Sequence, residues 1–143
     1  MFFSRKKRLK EDIEASFGQI KREGFNFKLI SRYFNNKDHS SQFQVLSDQV
    51  CEDLDFDLVF SYLDRTSSKV GQQYLYNRLR TIDYSKERFI KQEEIISYLE
   101  QHPEIRVEVQ CHLKKLDNNQ TYYLVDLFQQ EIDKKASWYF IIP

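Results

Sequence analysis

Three glycines and two prolines are all that punctuate 143 residues. A chain so poor in breakers lacks the tight turns that a β-sandwich or barrel needs at short intervals, because those turns draw on residues that tolerate positive φ or fix φ in advance. Aromatic residues reach 15%, which suits long helices with ring-filled seams. The expected fold class is therefore all-α, an antiparallel multi-helix bundle. The length is that of one domain with room for a core. Lys+Arg and Asp+Glu balance at 22 each, so any affinity for nucleic acid must come from a local patch and not from net charge.

Cys51 and Cys111 form no CxxC pair and no secretory signal precedes them, which points to two reduced thiols in a cytoplasmic chain. Met1, Phe2 and Phe3 are too short a run for a signal core, and the basic stretch SRKKRLK follows them instead of leading. The far end, SWYFIIP, is a rising apolar run, as expected of a chain cut before a longer hydrophobic segment. The organisation read from these features is a basic helix and short helical segment over residues 1–40, a helical domain over 41–136, and the start of an apolar segment over 137–143.

Leu9, Ile13, Phe17 and Ile20 lie on one helical stripe, predicting a helix over residues 5–23 that ends near Gly24. Phe27, Ile30 and Phe34 repeat the spacing before NNKDHSS breaks it. Ser47 and Asp55 each stand where a side chain can accept an orphan N–H at a helix start, so two short helices are expected between Leu46 and Asp64. The second should carry a seam of Phe56, Val59, Phe60 and Leu63. Thr66, Ser67 or Ser68 caps the next helix, whose inward face is expected at Gly71, Leu75, Arg78 or Leu79, and Ile82. Gly71 sits one turn in. A glycine there costs about 1 kcal/mol relative to alanine, which is best explained by another backbone passing at closest range. Ser85 caps the following helix, Pro103 opens the one after, and Thr121 caps YYLVDLFQQEIDKK.

Two basic stretches are candidate nucleic-acid contacts. Arg5, Lys6, Lys7, Arg8 and Lys10 can neutralise phosphates with release of counterions; the plainer account is a solvated helix start, and with Phe2 and Phe3 the same run suits an anionic lipid surface. The second stretch, Arg65, Lys69, Arg78, Arg80, Lys86, Arg88 and Lys91, is interleaved with Tyr74, Tyr76 and Tyr84, the mixture of rings and cations that single-strand binders use. Helical spacing spreads these over several faces, and some of the tyrosines must be core. His39, His102 and His112 are not at metal-ligand spacing with cysteines or carboxylates, and Glu87, Glu93 and Glu94 belong to a solvated helix face and not to a facing acid pair. No nucleophile–base arrangement is visible, and no enzyme activity is expected of this chain.

Residues 53–82, DLDFDLVFSYLDRTSSKVGQQYLYNRLRTI, resemble the core or lever domain of the MutS family of DNA mismatch repair ATPases. The likeness rests on an Asp-Leu helix start, an Asp-x-Thr turn, a glycine within a helix and a following Leu-Arg pair. Residues 88–116, RFIKQEEIISYLEQHPEIRVEVQCHLKKL, look like the next part of that domain, and the match spans roughly residues 46–130. The resemblance implies that Gly71 is a packing spot letting the helix of Leu75 and Leu79 lie flush against a neighbour, and that Asp64 and Thr66 form a fixed joint between two helix ends. It implies a non-catalytic connector that transmits nucleotide-dependent movement between an ATPase domain outside this chain and DNA or a partner. ATP, Mg, a homodimer held by ATPase domains and possible membrane association would then belong to a longer protein. The phosphate-cradling GxxxxGK[ST] and the Phe-x-Glu mismatch wedge are both missing from these 143 residues. The competing expectation is a stand-alone helical adaptor for a protein or nucleic-acid partner.

Overall fold

The computed structural model describes residues 2–129; the expected C-terminal helix beyond that point and the apolar run at 137–143 lie outside the described residues. In chain order the elements are α1 (Phe2–Ser16), α2 (Phe27–Ile30), α3 (Arg32–Asn36), β1 (Gln44–Val45), α4 (Asp48–Asp53), α5 (Phe56–Leu63), α6 (Lys69–Arg80), β2 (Thr81–Ile82), α7 (Lys86–Gln101) and α8 (Pro103–Leu113). Two 3-10 turns, Lys114–Leu116 and Asn119–Tyr123, lead to α9 (Asp126–Gln129). The described chain is mostly helical, as its scarcity of breakers predicts. One short ribbon departs from this: β1 and β2 pair antiparallel, with Gln44 opposite Ile82 and Val45 opposite Thr81.

Capping follows the sequence at three helices. Ser47 Oγ accepts from Val50 N at 3.3 Å, Ser68 Oγ from Gly71 N at 3.0 Å, and Ser85 Oγ from Arg88 N at 3.3 Å, each satisfying an orphan N–H. Three expectations need correction. Asp55 precedes α5 in a left-handed conformation, φ 48°, and its side chain makes no capping bond. α1 stops at Ser16, well before Gly24, because Gly18 takes φ 73° and turns the chain out of the helix. Thr121 does not start a long helix; its hydroxyl donates to Leu116 O at 2.6 Å and Asn118 O at 2.7 Å inside a 3-10 turn.

The main core collects Ile30 and Phe34 with Phe56, Phe60, Tyr76 and Tyr122, so residues on both sides of position 40 share it. Its rings meet edge-on, Phe56 to Tyr76 at 5.3 Å between centroids and Phe27 to Phe60 at 5.6 Å, the arrangement their quadrupoles favour. Burial of a side chain such as Phe60 or Ile30 contributes about 1.5–3 kcal/mol. Val59 and Leu63 of the expected α5 seam stay largely exposed. A smaller core joins Ile13 of α1 to Val107 and Cys111 of α8, flanked by Leu9. Beyond it, Phe17 lies under the Arg106 guanidinium at 3.6 Å.

α6 runs through the main core, and the face it buries is not the apolar one. Its buried residues are Gln72, Gln73, Tyr76, Asn77 and Arg80, at i, i+1, i+4, i+5 and i+8, whereas Leu75 and Leu79 are half-buried at the edge of the core. The polar atoms reach for irregular segments around the helix. Gln73 Nε2 donates to Leu29 O at 2.9 Å and Tyr122 O at 3.0 Å, and Arg80 Nη2 donates to Leu46 O at 2.7 Å and Asp48 at 2.8 Å. Arg80 also stacks over Phe34, 4.2 Å from the ring centre. Short helices and loops have carbonyls with no partner of their own, and α6 supplies the donors. Gln73→Leu is therefore expected to destabilise the protein by about 1–3 kcal/mol, although it makes the helix more apolar, because the buried Tyr122 carbonyl loses its side-chain donor and the part-buried Leu29 carbonyl loses one of two. Urea unfolding measures this, and an unchanged midpoint would show that the carbonyls find other partners.

Candidate functional site

The residues between α5 and α6 fold into a corner around one carboxylate. Asp64, at the C-terminus of α5, is fully buried. Its Oδ1 accepts from the Thr66 backbone N at 2.8 Å, closing a local turn, and its Oδ2 accepts from Lys21 Nζ at 2.8 Å and Gln72 Nε2 at 2.9 Å. Lys21 Nζ also donates to Thr66 Oγ1 at 3.2 Å. Gln72 Nε2 donates to Glu23 Oε1 at 2.9 Å as well, and Gln72 Oε1 accepts from the Tyr122 hydroxyl. Lys69 completes the ring, 3.2 Å from Glu23 and 3.4 Å from Asp117. Three stretches of chain thus meet at Asp64, the irregular segment holding Lys21 and Glu23, the corner itself and the first turn of α6, and the 3-10 turns join through Tyr122 on Gln72 and Asp117 on Lys69.

A buried charge is tolerable only when its lone pairs are filled, and here they are. Burial pushes the Asp64 carboxyl up, but the bonds from Lys21, Thr66 and Gln72 outweigh it and hold the group below the usual carboxylate range. Tyr122 moves the other way: burial first, then the charges of Glu23, Asp64 and Asp117, push its phenol up to about 12. Asp117 lies below its ordinary value because Lys114 and Lys69 together overcome its burial.

Gly71 sits at the third position of α6. A Cβ built there would stand 3.0 Å from Ser68 Oγ and 3.1 Å from Thr66 Cβ. The crowding therefore comes from the corner, whose Thr66 folds over the first turn, and not from the backbone of a neighbouring helix as the sequence led us to expect. The bare position lets Ser68 cap α6 while Thr66 stays within reach of Lys21. Asp64, Thr66 and Gly71 are brought together; Leu75 and Leu79 lie further along α6 at the margin of the aromatic core.

The N-terminal basic run is partly absorbed by neighbouring acids. Lys6 and Lys10 face Glu108 of α8 at 3.7 and 3.5 Å, and Lys7 lies 3.9 Å from Glu11. Arg5 and Arg8 are exposed. In the second basic stretch, Arg65 donates to the carbonyls of Gly18, Tyr62 and Asp64, Lys69 belongs to the corner, and Arg80 and Tyr76 are buried. Arg78 and Arg88 both approach Asp83, while Lys86 and Lys91 are exposed and form no ion pair among the described residues. Lys21, which the sequence offers with Arg22 as an extension of the phosphate-contacting basic run, is instead bound to Asp64, and Glu23, Gln72 and Tyr122 were not foreseen. Gln72 shares the spacing of the buried positions 72, 73, 76, 77 and 80, but a polar rhythm on a helix ordinarily marks the solvent face, so it gave no signal of burial. The ends of the irregular segment carried no signal.

Among the described residues no group of His, Cys, Asp and Glu could hold a metal ion, and no helix is long and apolar enough to cross a membrane. No family model, curated protein or solved structure matches this chain.

Asp64→Asn is expected to cost about 2–4 kcal/mol, the range for breaking a buried pair lowered because Lys21 reaches solvent. With its folded pKa depressed, Asp64 contributes fully above the unfolded value of about 3.9 and loses that contribution as pH falls through the lower folded value. Denaturant midpoints measured below about pH 4 should thus fall more steeply in the parent than in Asp64→Asn. At the alkaline end the raised phenol of Tyr122 contributes fully below about pH 10 and loses its contribution as pH rises through about 12. Tyr122→Phe should remove that loss while lowering stability near neutral pH by about 1–2 kcal/mol, as Gln72 is left without its donor. Gly71→Leu should destabilise by about 1–3 kcal/mol through overpacking, and exposed Glu94→Ala by less than about 0.5; equal thermal melts would contradict the crowding at Gly71.

Proposed function

We propose that the chain is a non-catalytic connector, similar to the core or lever region of a MutS-like DNA mismatch repair ATPase, carrying movement between an ATPase domain outside these residues and DNA or a partner. The observation that supports it is that two of the features on which the resemblance rests, the Asp-x-Thr turn and the helix glycine, meet at one joint. Asp64, Thr66 and Gly71 of DRTSSKVG are neighbours in space, and Asp64 locks the end of α5 to the start of α6. A joint fixed by buried polar bonds transmits displacement of one helix to the other, because its alternative is an unpaired buried charge. In that setting ATP and Mg act in the longer protein, and DNA, an ATPase domain and a second copy are its partners.

A stand-alone adaptor is favoured by a different observation. α7 has sixteen residues and none of them is buried, so its exposed Phe89, Ile95 and Ile96 offer a face to a partner.

The reading frame after codon 143 separates the two. A frame continuing into GxxxxGK[ST] supports the connector, and a stop codon removes it. In the continued protein, Asp64→Asn is expected to leave nucleotide affinity within about twofold and to weaken the nucleotide-dependent change in DNA or partner affinity, whose usual coupling is about 5–150-fold. Unchanged coupling in titrations with and without nucleotide would contradict the role of the joint.

A further inference from the structure

α5 is apolar nearly all the way round and packed on one side. With about 100° between successive residues, Phe56 and Phe60 turn into the main core, and Leu58, Tyr62, Val59 and Leu63 follow one another around the far side and one flank, 69%, 63%, 43% and 45% exposed. No charged residue of the helix falls within that arc. A helix this apolar is ordinarily covered on every side, and among the described residues the outer face of α5 has no cover. At its N-terminal end Glu52, Asp55 and Asp57 line a cleft with Leu58. At its C-terminal end the Arg65 guanidinium lies over Tyr62, 6.0 Å from the ring centre.

Size, charge and reach constrain what covers it. A helix of this length rises about 12 Å, room for a short peptide but far less than the roughly 20–30 residues a side that a stable dimer uses. An uncharged face takes an uncharged occupant, because a charge buried against it would stay unpaired. Residues 136–142, ASWYFII, are such a run, preceded directly by Lys134 and Lys135, with Glu131 and Asp133 further back. Gln129, the last described residue, donates to Tyr33 O at 3.0 Å. From there the way to α5 crosses two ring contacts, Phe34 to Tyr76 at 6.0 Å and Tyr76 to Phe60 at 5.8 Å between centroids, and residues 130–138 can span up to about 30 Å. We propose that residues 136–142 lie along the outer face of α5, with Trp138 against Leu58 and Tyr62 and the two lysines toward the carboxylates of Glu52, Asp55 and Asp57. The contact involves neither the Asp64 joint nor α7, so it stands apart from both readings of the chain's function.

Trp138 is the chain's single tryptophan, so its fluorescence in the whole chain reads the contact directly. Its emission should lie at shorter wavelength than that of free tryptophan amide, with weaker quenching by acrylamide, and neither should change on dilution. Leu58→Ser with Tyr62→Ser should bring both to the values of the free amide. Phe89→Ser with Tyr98→Ser, exposed positions of α7, should leave Trp138 as it was. As a second measurement, Trp138→Ala should lower the thermal midpoint of the parent but not that of the Leu58→Ser, Tyr62→Ser chain, the non-additivity expected of side chains in contact. The proposal is overturned by solvent-like emission in the parent, by a shifted emission indifferent to Leu58→Ser with Tyr62→Ser, or by additive midpoints. A shift lost on dilution together with a dimer in sedimentation overturns it in favour of a second copy, and a shift that arises only on adding phosphatidylcholine vesicles overturns it in favour of a membrane.

Discussion

The carboxylate of Asp64 is the point on which the arrangement turns. It is fully buried, and each bond that makes its charge tolerable comes from a different stretch of chain: the Thr66 amide from the corner, Gln72 from α6, Lys21 from the segment after α1. Remove a donor and part of the desolvation cost returns uncompensated. The group therefore forces these stretches into one geometry, and from there the order spreads outward through Gln72 to Tyr122 and through Lys69 to Asp117.

α6 extends the same logic along its length. A helix normally buries an apolar stripe against its neighbours; here Gln73 and Arg80 reach into short helices and loops whose carbonyls need donors. The chain is built of many brief elements, α2, α3, α4 and the 3-10 turns, too short to satisfy their own ends. A long helix with a polar face holds such pieces together, and the aromatic cluster of Phe34, Phe56, Phe60 and Tyr76 fills the space between them. Polar specificity and ring packing thus act on the same helix, with Tyr76 contributing to both.

The organisation also separates tasks. The α1–α8 contact has its own small core of Ile13, Val107 and Cys111, tied to the rest partly by the ion pairs of Lys21 and Glu23 and by Arg65 on the Gly18 carbonyl. α7 stands apart from both cores with no buried residue.

Helical character, the starts of α4, α6, α7 and α8, and the location of a fixed corner at Asp64 and Thr66 were all legible in the amino-acid sequence. Each depends on residues within one turn of one another: Ser47, Ser68 and Ser85 accept nearby N–H groups, Pro103 has no N–H to lose, and three glycines in 143 residues leave few places to turn. What crowds Gly71, which face of α6 is buried, and which lysine answers Asp64 were decided by the tertiary structure alone. Lys21 lies 43 positions from Asp64 and Tyr122 lies 50 from Gln72, and nothing in local spacing distinguishes a glutamine bound for solvent from one bound for a buried carbonyl. Pairing of that kind is fixed by where donors and acceptors meet once water is excluded, a property of the folded whole that no segment carries by itself.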